Sequence, residues 1–220
     1  LLKQNKIKKY IFTHSSNYVD KEIILGVNDH ELSESDSIIS SSICDANAGA
    51  HIFKWIDDKY GINNGSLTTL HPWLSYQNLV DGASISQSQP GIMWNDYALG
   101  RSSISNLIPK NTTAMTAIEK VLPKVKDKIM SFSYRIPTSV VCSADMVLNL
   151  NKETNKNDLV DYIKECVKHS DYVSLNYESL TSKDYEKNES SSIIDMQWLD
   201  VKNNTAKIII WYDNEWGYAS

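Results

Sequence analysis

A cysteine and a histidine are the residues of this 220-residue chain whose types and positions suggest covalent chemistry. Cys44 lies where a predicted strand ends and a predicted helix begins, so free N–H groups and the positive end of the helix dipole would favour its thiolate. A nucleophilic cysteine needs a base, and His71 follows a β-rich Thr-Thr-Leu segment that would hold it at a strand end. Both residues also have a purely structural interpretation, as a packed core thiol and an ordinary strand-end histidine. The pair is therefore a hypothesis: a thiol nucleophile, Cys44, with His71 as its base.

The remaining cysteines and histidines do not form a recognisable ligand set. Cys142 and Cys166 are widely spaced and no CxxC pair occurs, which excludes zinc ribbons and redox dithiols. The sequence predicts no metal site, and it favours reduced cytosolic thiols over a disulfide scaffold. The other histidines lack the spacing of metal ligands: His14, His30, His51 and His169.

The hydrophobic pattern predicts the elements that position these side chains. An apolar stripe predicts a helix over residues 44–60, with Ser41 or Ser42 as its cap and Gly61 at its end. A hairpin turn is expected at Asn203-Asn204, a polar loop over residues 188–192, and a long, functional loop over residues 75–100. Segregated strands with a few helices are typical of an α+β domain. Further helices are predicted over residues 112–122 and 157–168, and strands over residues 8–13, 22–27, 38–43, 66–70, 131–136, 140–150, 171–177, 196–201 and 207–212.

Composition excludes several classes of function. The chain is 41% hydrophobic and 22% charged, with a net charge of −5 and only two arginines, so a surface that tracks nucleic-acid phosphates is not expected. The longest apolar runs are far below the ~20 residues of a membrane span. The first ten residues do not resemble a signal peptide. We expect neither nucleic acid nor membrane as a partner.

Five motifs follow one another in a fixed order along the chain. They are GVND at 26–29, SSSICDANAG around Cys44, GRSSISNLIP from Gly100, RIPTSVVCSADMVLNL from Arg135, and WYDNEWGY from Trp211. These motifs resemble GVN, SNASCTTN, GRGAxxNIIP, RVPTPNVSVVDLTVRL and WYDNE(F/W)GYS of the glyceraldehyde-3-phosphate dehydrogenase family. The 27-residue interval from Cys44 to His71 also matches that family.

The resemblance implies a fold and a setting. Residues 44–220 would form the family's α+β catalytic domain, with a mostly antiparallel sheet and helices on one face. Residues 1–43 would be the C-terminal remnant of a Rossmann-type cofactor domain, whose GxGxxG loop the sequence does not contain. The chain is thus expected to be a fragment or a shortened homologue that does not bind NAD tightly alone. The resemblance also implies a cytoplasmic enzyme of glycolysis and a homotetramer, in which residues 75–100 would line a neighbour's cofactor site.

The resemblance also implies a reaction and its residues. Cys44 would attack an aldehyde to form a thiohemiacetal, and hydride transfer to NAD or NADP would leave a thioester. His71 would take the thiol proton and stabilise the oxyanion. The remaining implied contacts are Asn214 and Tyr218 with the cofactor, and Thr112 and Arg135 with substrate or inorganic phosphate.

The sequence departs from the family motif beside the nucleophile. Ile43 and Asp45 flank Cys44, where the family has Ser and Thr. A carboxylate next to a thiol raises the thiol pKa and repels phosphate, although it also suits the first turn of a helix. The residues implied in the reaction, Cys44, His71 and Asn214, are kept while phosphate-site residues change. This combination predicts an altered substrate. Other replaced phosphate-site positions are Leu74, Ala98 and Thr113.

Two alternatives remain open at this point. A diverged, inactive homologue with a binding or structural role would explain the altered phosphate sites. A thiol enzyme that uses no nicotinamide, such as an esterase or acyl-transfer protein, would explain Cys44 and His71 but would not need Asn214.

Overall fold

The computed structural model describes residues 7–85, 91–93 and 97–220. Residues 86–90 and 94–96 of the predicted 75–100 loop lie outside this described part. The rest of that loop contains turns and one isolated β-bridge, between Ile85 and Met93, and no longer strand. No helix among the described residues is long and apolar enough to cross a lipid bilayer.

The helix that begins with Cys44 has the predicted bounds. Helix α1 spans Cys44–Tyr60, and Gly61 ends it with a φ of 69°, a conformation that glycine adopts without steric cost. The predicted serine cap is wrong, because Ile43 occupies the N-cap position and no side chain caps the helix there. The Ser42 hydroxyl is instead committed to Glu22, to which it donates a hydrogen bond of 2.6 Å.

One large sheet forms the centre of the fold. Its strands are β4 Ile62–Pro72, β5 Ile108–Lys110, β6 Ile129–Ile136, β7 Cys142–Leu150, β8 Val173–Asn176, β9 Ser192–Asp195, β10 Asp200–Lys202 and β11 Thr205–Tyr212. They pair in the order β5-β6-β4-β7-β11-β9-β8, with β10 also paired to β11. The pairs β4/β6 and β8/β9 are parallel and the other pairs are antiparallel, as expected for a mostly antiparallel sheet.

The long helices cover one face of this sheet. On that face Leu67, Met146 and Ile208 lie side by side on neighbouring strands, each almost fully buried. Burying one such side chain contributes about 1.5–3 kcal/mol, so this layer is a main source of stability. The core on this face includes apolar residues from α1 and from the two helices that pack beside it, α2 Ala114–Val121 and α3 Lys156–Lys168. This arrangement confirms the α+β prediction.

A smaller, parallel sheet precedes the large one. Its strands are β1 Tyr10–Phe12, β2 Lys21–Glu22 and β3 Ile38–Ser40, in the order β1-β3-β2. Ile24 and Val27, which follow β2, join the main hydrophobic core. The division of the chain at residue 43 into a cofactor-domain remnant and a catalytic domain stays a prediction.

Two predicted strands are wrong for identifiable reasons. The strand predicted over 22–27 ends at Glu22, because Gly26 has a φ of 75° and the Asn28 side chain accepts the Ile24 N–H. Most of the strand predicted over 196–201 is not present. The strand β9 ends at Asp195, before this segment, and β10 starts only at Asp200. Strand β9 is buried along its whole length, so it lacks the alternation that identifies a half-exposed strand. The predicted turn at Asn203-Asn204 is confirmed between β10 and β11.

Candidate active site

The ends of several neighbouring strands lie together, and their last side chains face the helices. His71 lies at the end of β4, and Arg135 is its register partner near the end of β6. Tyr212 ends β11 and pairs with Cys142, the first residue of β7. All four residues are buried. The sheet topology therefore brings together side chains that are far apart in sequence.

The N-terminus of α1 brings Cys44 to these strand ends. The Cys44 sulfur lies 3.8 Å from Nε2 of His71, within reach of a weak sulfur–nitrogen hydrogen bond. The backbone before Cys44 turns through Ser42, which has a φ of 65° and a fully buried side chain. The thiol and imidazole that the sequence proposed as a pair therefore meet directly.

Asp45 is the third member of the cluster. Its Oδ1 lies 3.6 Å from His71 Nε2 and 3.7 Å from the Cys44 sulfur. The Tyr212 hydroxyl donates a 2.6 Å hydrogen bond to the same oxygen. Asp45 is unusual in the sequence, whereas Tyr212 is not among the predicted site residues; its only signal is its place just before the Asp-Asn-Glu segment.

The surroundings of Cys44 disfavour a resting thiolate. Cys44 is half-buried, and this burial raises the pKa of the thiol well above its ordinary value. The Asp45 carboxylate raises that pKa further, whereas the Asp45 amide and Arg135 lower it. A base must therefore remove the Cys44 proton during attack.

His71 has the protonation state that such a base needs. Burial lowers the pKa of His71 to about 4; the Asp45 carboxylate raises it, and the charges of Arg135 and Lys110 lower it. The imidazole is therefore neutral near pH 7 and can accept a proton. Lys110, in β5, is a cation near the cluster that sequence analysis missed, and its only signal is a charge next to the matched Asn-Leu-Ile-Pro motif.

The two predicted phosphate-binding residues differ in their positions. The Arg135 side chain is buried beside His71; its Nη1 donates to the Pro72 carbonyl at 3.4 Å, and its Nε has no hydrogen-bond partner in the described part of the chain. Thr112 lies just before α2, where its hydroxyl oxygen accepts the Ala114 N–H at 3.1 Å. Of the two, only Arg135 lies at the same strand ends as His71.

The two predicted cofactor residues follow β11. Asp213 accepts the N–H groups of Lys187, Glu215 and Trp216, and these bonds hold the turn that contains Asn214. The Asn214 side-chain oxygen is buried without a hydrogen-bond partner among the described residues.

Tyr218, in the short helix α4 (Trp216–Ala219), contacts the segment before the nucleophile. Its hydroxyl donates to the Ser42 carbonyl at 3.0 Å and lies 2.9 Å from the Ser41 hydroxyl. The Tyr218 hydroxyl therefore makes a structural contact within the protein. This contact does not involve the Tyr218 ring.

Comparisons with known proteins agree on one family. A family model described as the C-terminal domain of glyceraldehyde 3-phosphate dehydrogenase matches residues 43–214. The glyceraldehyde-3-phosphate dehydrogenase of Atriplex nummularia is 35% identical over 200 residues, which cover 90% of this chain and 53% of that protein. The cytosolic enzyme of Sinapis alba is 34% identical, with 90% and 56% covered. Glyceraldehyde-3-phosphate dehydrogenase 1 of Bacillus subtilis (strain 168) is 33% identical, with 97% and 62% covered. The chain thus spans little more than half the length of these relatives.

Proposed function

Because this chain belongs to the glyceraldehyde-3-phosphate dehydrogenase family, we propose that the whole protein is a phosphorylating, NAD(P)-dependent aldehyde dehydrogenase with Cys44 as nucleophile. The observation that carries the proposal is the 3.8 Å approach of the Cys44 sulfur to Nε2 of His71 at the start of α1. That distance suits direct proton transfer once a substrate draws the two groups together.

The first step needs only residues of this chain. The Cys44 sulfur attacks the aldehyde carbon, a C–S bond forms, and the thiol proton passes to Nε2 of the neutral His71. The carbonyl π electrons move to oxygen, and the protonated His71 then transfers its Nε2 proton to that oxygen and becomes neutral again. The product is a neutral thiohemiacetal, so the protons balance.

Asn214 is the residue best placed to hold the cofactor. Its buried, unpaired Oδ1 offers an acceptor for an amide N–H, which fits a nicotinamide carboxamide. When bound, the nicotinamide cofactor supplies the hydride acceptor that converts the thiohemiacetal to a thioester. Tyr218 belongs to the proposed cofactor site through its ring, because its hydroxyl already contacts Ser42. The choice between NAD and NADP stays open.

We expect the aldehyde or the phosphate group to be bound differently than in the relatives. Arg135 retains a buried, unpaired Nε, and Thr112 retains a hydroxyl proton, so both can donate to a phosphate oxygen. Lys110 adds a cation near His71. The carboxylate of Asp45, in contrast, repels an anion close to Cys44.

The family also suggests a setting for the protein. We propose that the whole protein forms a homo-oligomer, most simply a tetramer, and acts in glycolysis in the cytoplasm. Relatives named as cytosolic enzymes support the location. Exposed Met130 and Phe132, on the sheet face opposite α1, support the oligomer.

A specific observation favours a second candidate, a diverged homologue without dehydrogenase activity. Burial and Asp45 both raise the pKa of the Cys44 thiol, so the resting site holds no activated thiolate. Such a protein would keep the fold and serve a binding or structural role.

Two measurements on the whole protein separate these candidates. Cys44 alkylation by iodoacetamide is followed by peptide mass spectrometry in the wild type and in His71→Asn, with Cys142 and Cys166 as internal controls. The dehydrogenase proposal expects His71 to assist alkylation by accepting the thiol proton, so labelling of Cys44 slows in His71→Asn while labelling of Cys142 and Cys166 is unchanged. It also expects reduction of NAD or NADP with glyceraldehyde 3-phosphate or another aldehyde, abolished in Cys44→Ser. No effect of His71→Asn on Cys44 labelling and no cofactor reduction would support the inactive homologue.

A further inference from the structure

Three atoms that bind metal ions converge in the cluster of Cys44, Asp45 and His71. The edges of the triangle formed by Sγ, Oδ1 and Nε2 are 3.6, 3.7 and 3.8 Å. A tetrahedral zinc ion, with bond lengths of about 2.0–2.3 Å, sets its ligand atoms roughly 3.3–3.6 Å apart. The three side chains thus need to close by only a few tenths of an ångström. We propose that Cys44, Asp45 and His71 form a binding site for a zinc-like divalent transition-metal ion.

The chemistry of the three donors suits such an ion. A thiolate, an imidazole and a carboxylate are the ligand types that zinc prefers, and magnesium or calcium would not favour sulfur. Coordination replaces the Cys44 S–H bond by an S–metal bond and releases the proton to solvent. The thiolate and carboxylate then supply two negative charges to balance the two positive charges of the ion. Three protein ligands leave a fourth position for water.

The geometry favours a metal ion over a Cys-His-Asp relay. In a relay the carboxylate binds the ring nitrogen that faces away from the nucleophile. Here Nε2 of His71 faces both Cys44 and Asp45, while Nδ1 is buried without a hydrogen-bond partner in the described residues. Three donor atoms that surround one point can all bind the same cation.

Tyr212 supports the third ligand. Its buried hydroxyl donates a 2.6 Å hydrogen bond to Asp45 Oδ1, which fixes the carboxylate beside the sulfur, as outer contacts commonly fix metal ligands. Asp45 stands where the family motif has threonine, so the third ligand belongs to this chain and not to that motif. If the proposed dehydrogenase function is correct, a bound ion also blocks the nucleophile.

Cobalt binding tests the site without substrate or cofactor. The reduced whole protein is titrated with CoCl₂, and absorption is recorded for the thiolate-to-cobalt charge-transfer band and the intense visible bands of tetrahedral Co²⁺. We expect both in the wild type, their displacement by ZnCl₂, and loss of the charge-transfer band in Cys44→Ser. Asp45→Asn keeps an acceptor for Tyr212 but lacks the charge, and we expect it to bind at least about tenfold more weakly.

Matched controls use a half-buried thiol in α3 and the exposed imidazole that follows this helix. Cys166→Ser and His169→Gln remove a second thiol and a second imidazole, and both should bind cobalt as the wild type does. The proposal is overturned if the wild type shows no charge-transfer band, if Cys44→Ser retains it, or if Asp45→Asn binds equally tightly. Circular dichroism of each variant identifies any loss caused by misfolding, and in that case Asp45→Thr repeats the test. Because none of these readouts uses dehydrogenase activity, an inactive protein could still bind cobalt, and an active one could fail to.

Discussion

At the scale of single residues, burial decides the protonation of two buried histidines, His71 at the end of β4 and His51 in α1. His71 and His51 each have a pKa lowered to about 4, mainly because burial penalises the imidazolium. In His71 this keeps a base neutral beside Cys44. In His51, on α1, the ring stacks on Tyr172 at 5.5 Å between ring centroids and serves packing. The same physical effect thus reduces stability in acid at both positions, and at His71 it also suits the proposed role of a base.

His51 is expected to make folding sensitive to acid. In the unfolded chain the His51 imidazole binds a proton near pH 6.5, whereas in the folded chain its pKa is about 4. The free energy of unfolding therefore falls as the pH decreases from 6.5 to 4. Between pH 7 and pH 5 the His51 contribution is about 2 kcal/mol. Urea unfolding at both pH values should show a smaller loss for His51→Gln than for the wild type. The exposed His169→Gln serves as the control and should behave as the wild type; an unchanged pH dependence in His51→Gln would contradict this assignment.

At the scale of elements, the start of α1 is held from the C-terminal end of the chain. Ser42 adopts a left-handed conformation that non-glycine residues rarely adopt, immediately before the helix. Its side chain is bonded to Glu22 and its carbonyl to Tyr218 in α4. Contacts from the small sheet and from the last helix therefore impose the turn that presents Cys44.

Tyr218→Phe tests this support. The variant loses the hydrogen bonds to Ser42 and Ser41, each worth about 0.5–1.5 kcal/mol, so we expect a destabilisation of about 1–3 kcal/mol. Thermal unfolding measures the loss, and peptide mapping should show a changed alkylation rate at Cys44 but not at Cys166. Tyr18→Phe, at an 89% exposed position, is the control. Identical melting temperatures for Tyr218→Phe and the wild type would refute the anchoring role.

At the scale of the whole molecule, the two faces of the sheet are covered unequally: the long helices pack on one face, whereas on the other Tyr185 packs on Trp211 and other apolar side chains stay exposed. Phe132, Thr68, Asp145 and Ile209 form one row across four neighbouring strands on the face opposite the helices. In the adjacent row Met130 is 78% exposed. A face that exposes large apolar side chains on ordered strands is typical of a protein–protein interface.

We expect this face to pack against another copy in the whole protein. Phe132→Asp places a charge in the proposed interface and should shift the oligomer toward smaller species in size-exclusion chromatography with light scattering. Tyr177→Asp changes an exposed aromatic residue outside that row and should leave the assembly intact. A monomeric wild type would contradict the proposed oligomer. An unchanged assembly of Phe132→Asp would show that the interface does not include this face.

The sequence was most informative where structure depends on near neighbours. The bounds of α1, its end at Gly61 and the turn at Asn203 follow from local periodicity and backbone preferences, and all agree with the structure. It was least informative for β9, whose complete burial depends on strands and helices distant in sequence. The predicted serine cap was wrong for the same reason, because the Ser42 hydroxyl donates a hydrogen bond to Glu22 of the small sheet.

The family, the fold class and the interval between Cys44 and His71 can be read from the residues alone, because motif order and residue type are properties of the chain. The surroundings of the thiol depend on the folded structure. Tyr212 reaches Asp45 across 167 positions, and Asp45 and His71 meet the sulfur at distances that no local pattern encodes. The raised pKa of Cys44 and the lowered pKa of His71 likewise arise from burial, which exists only once distant strands and α1 pack together.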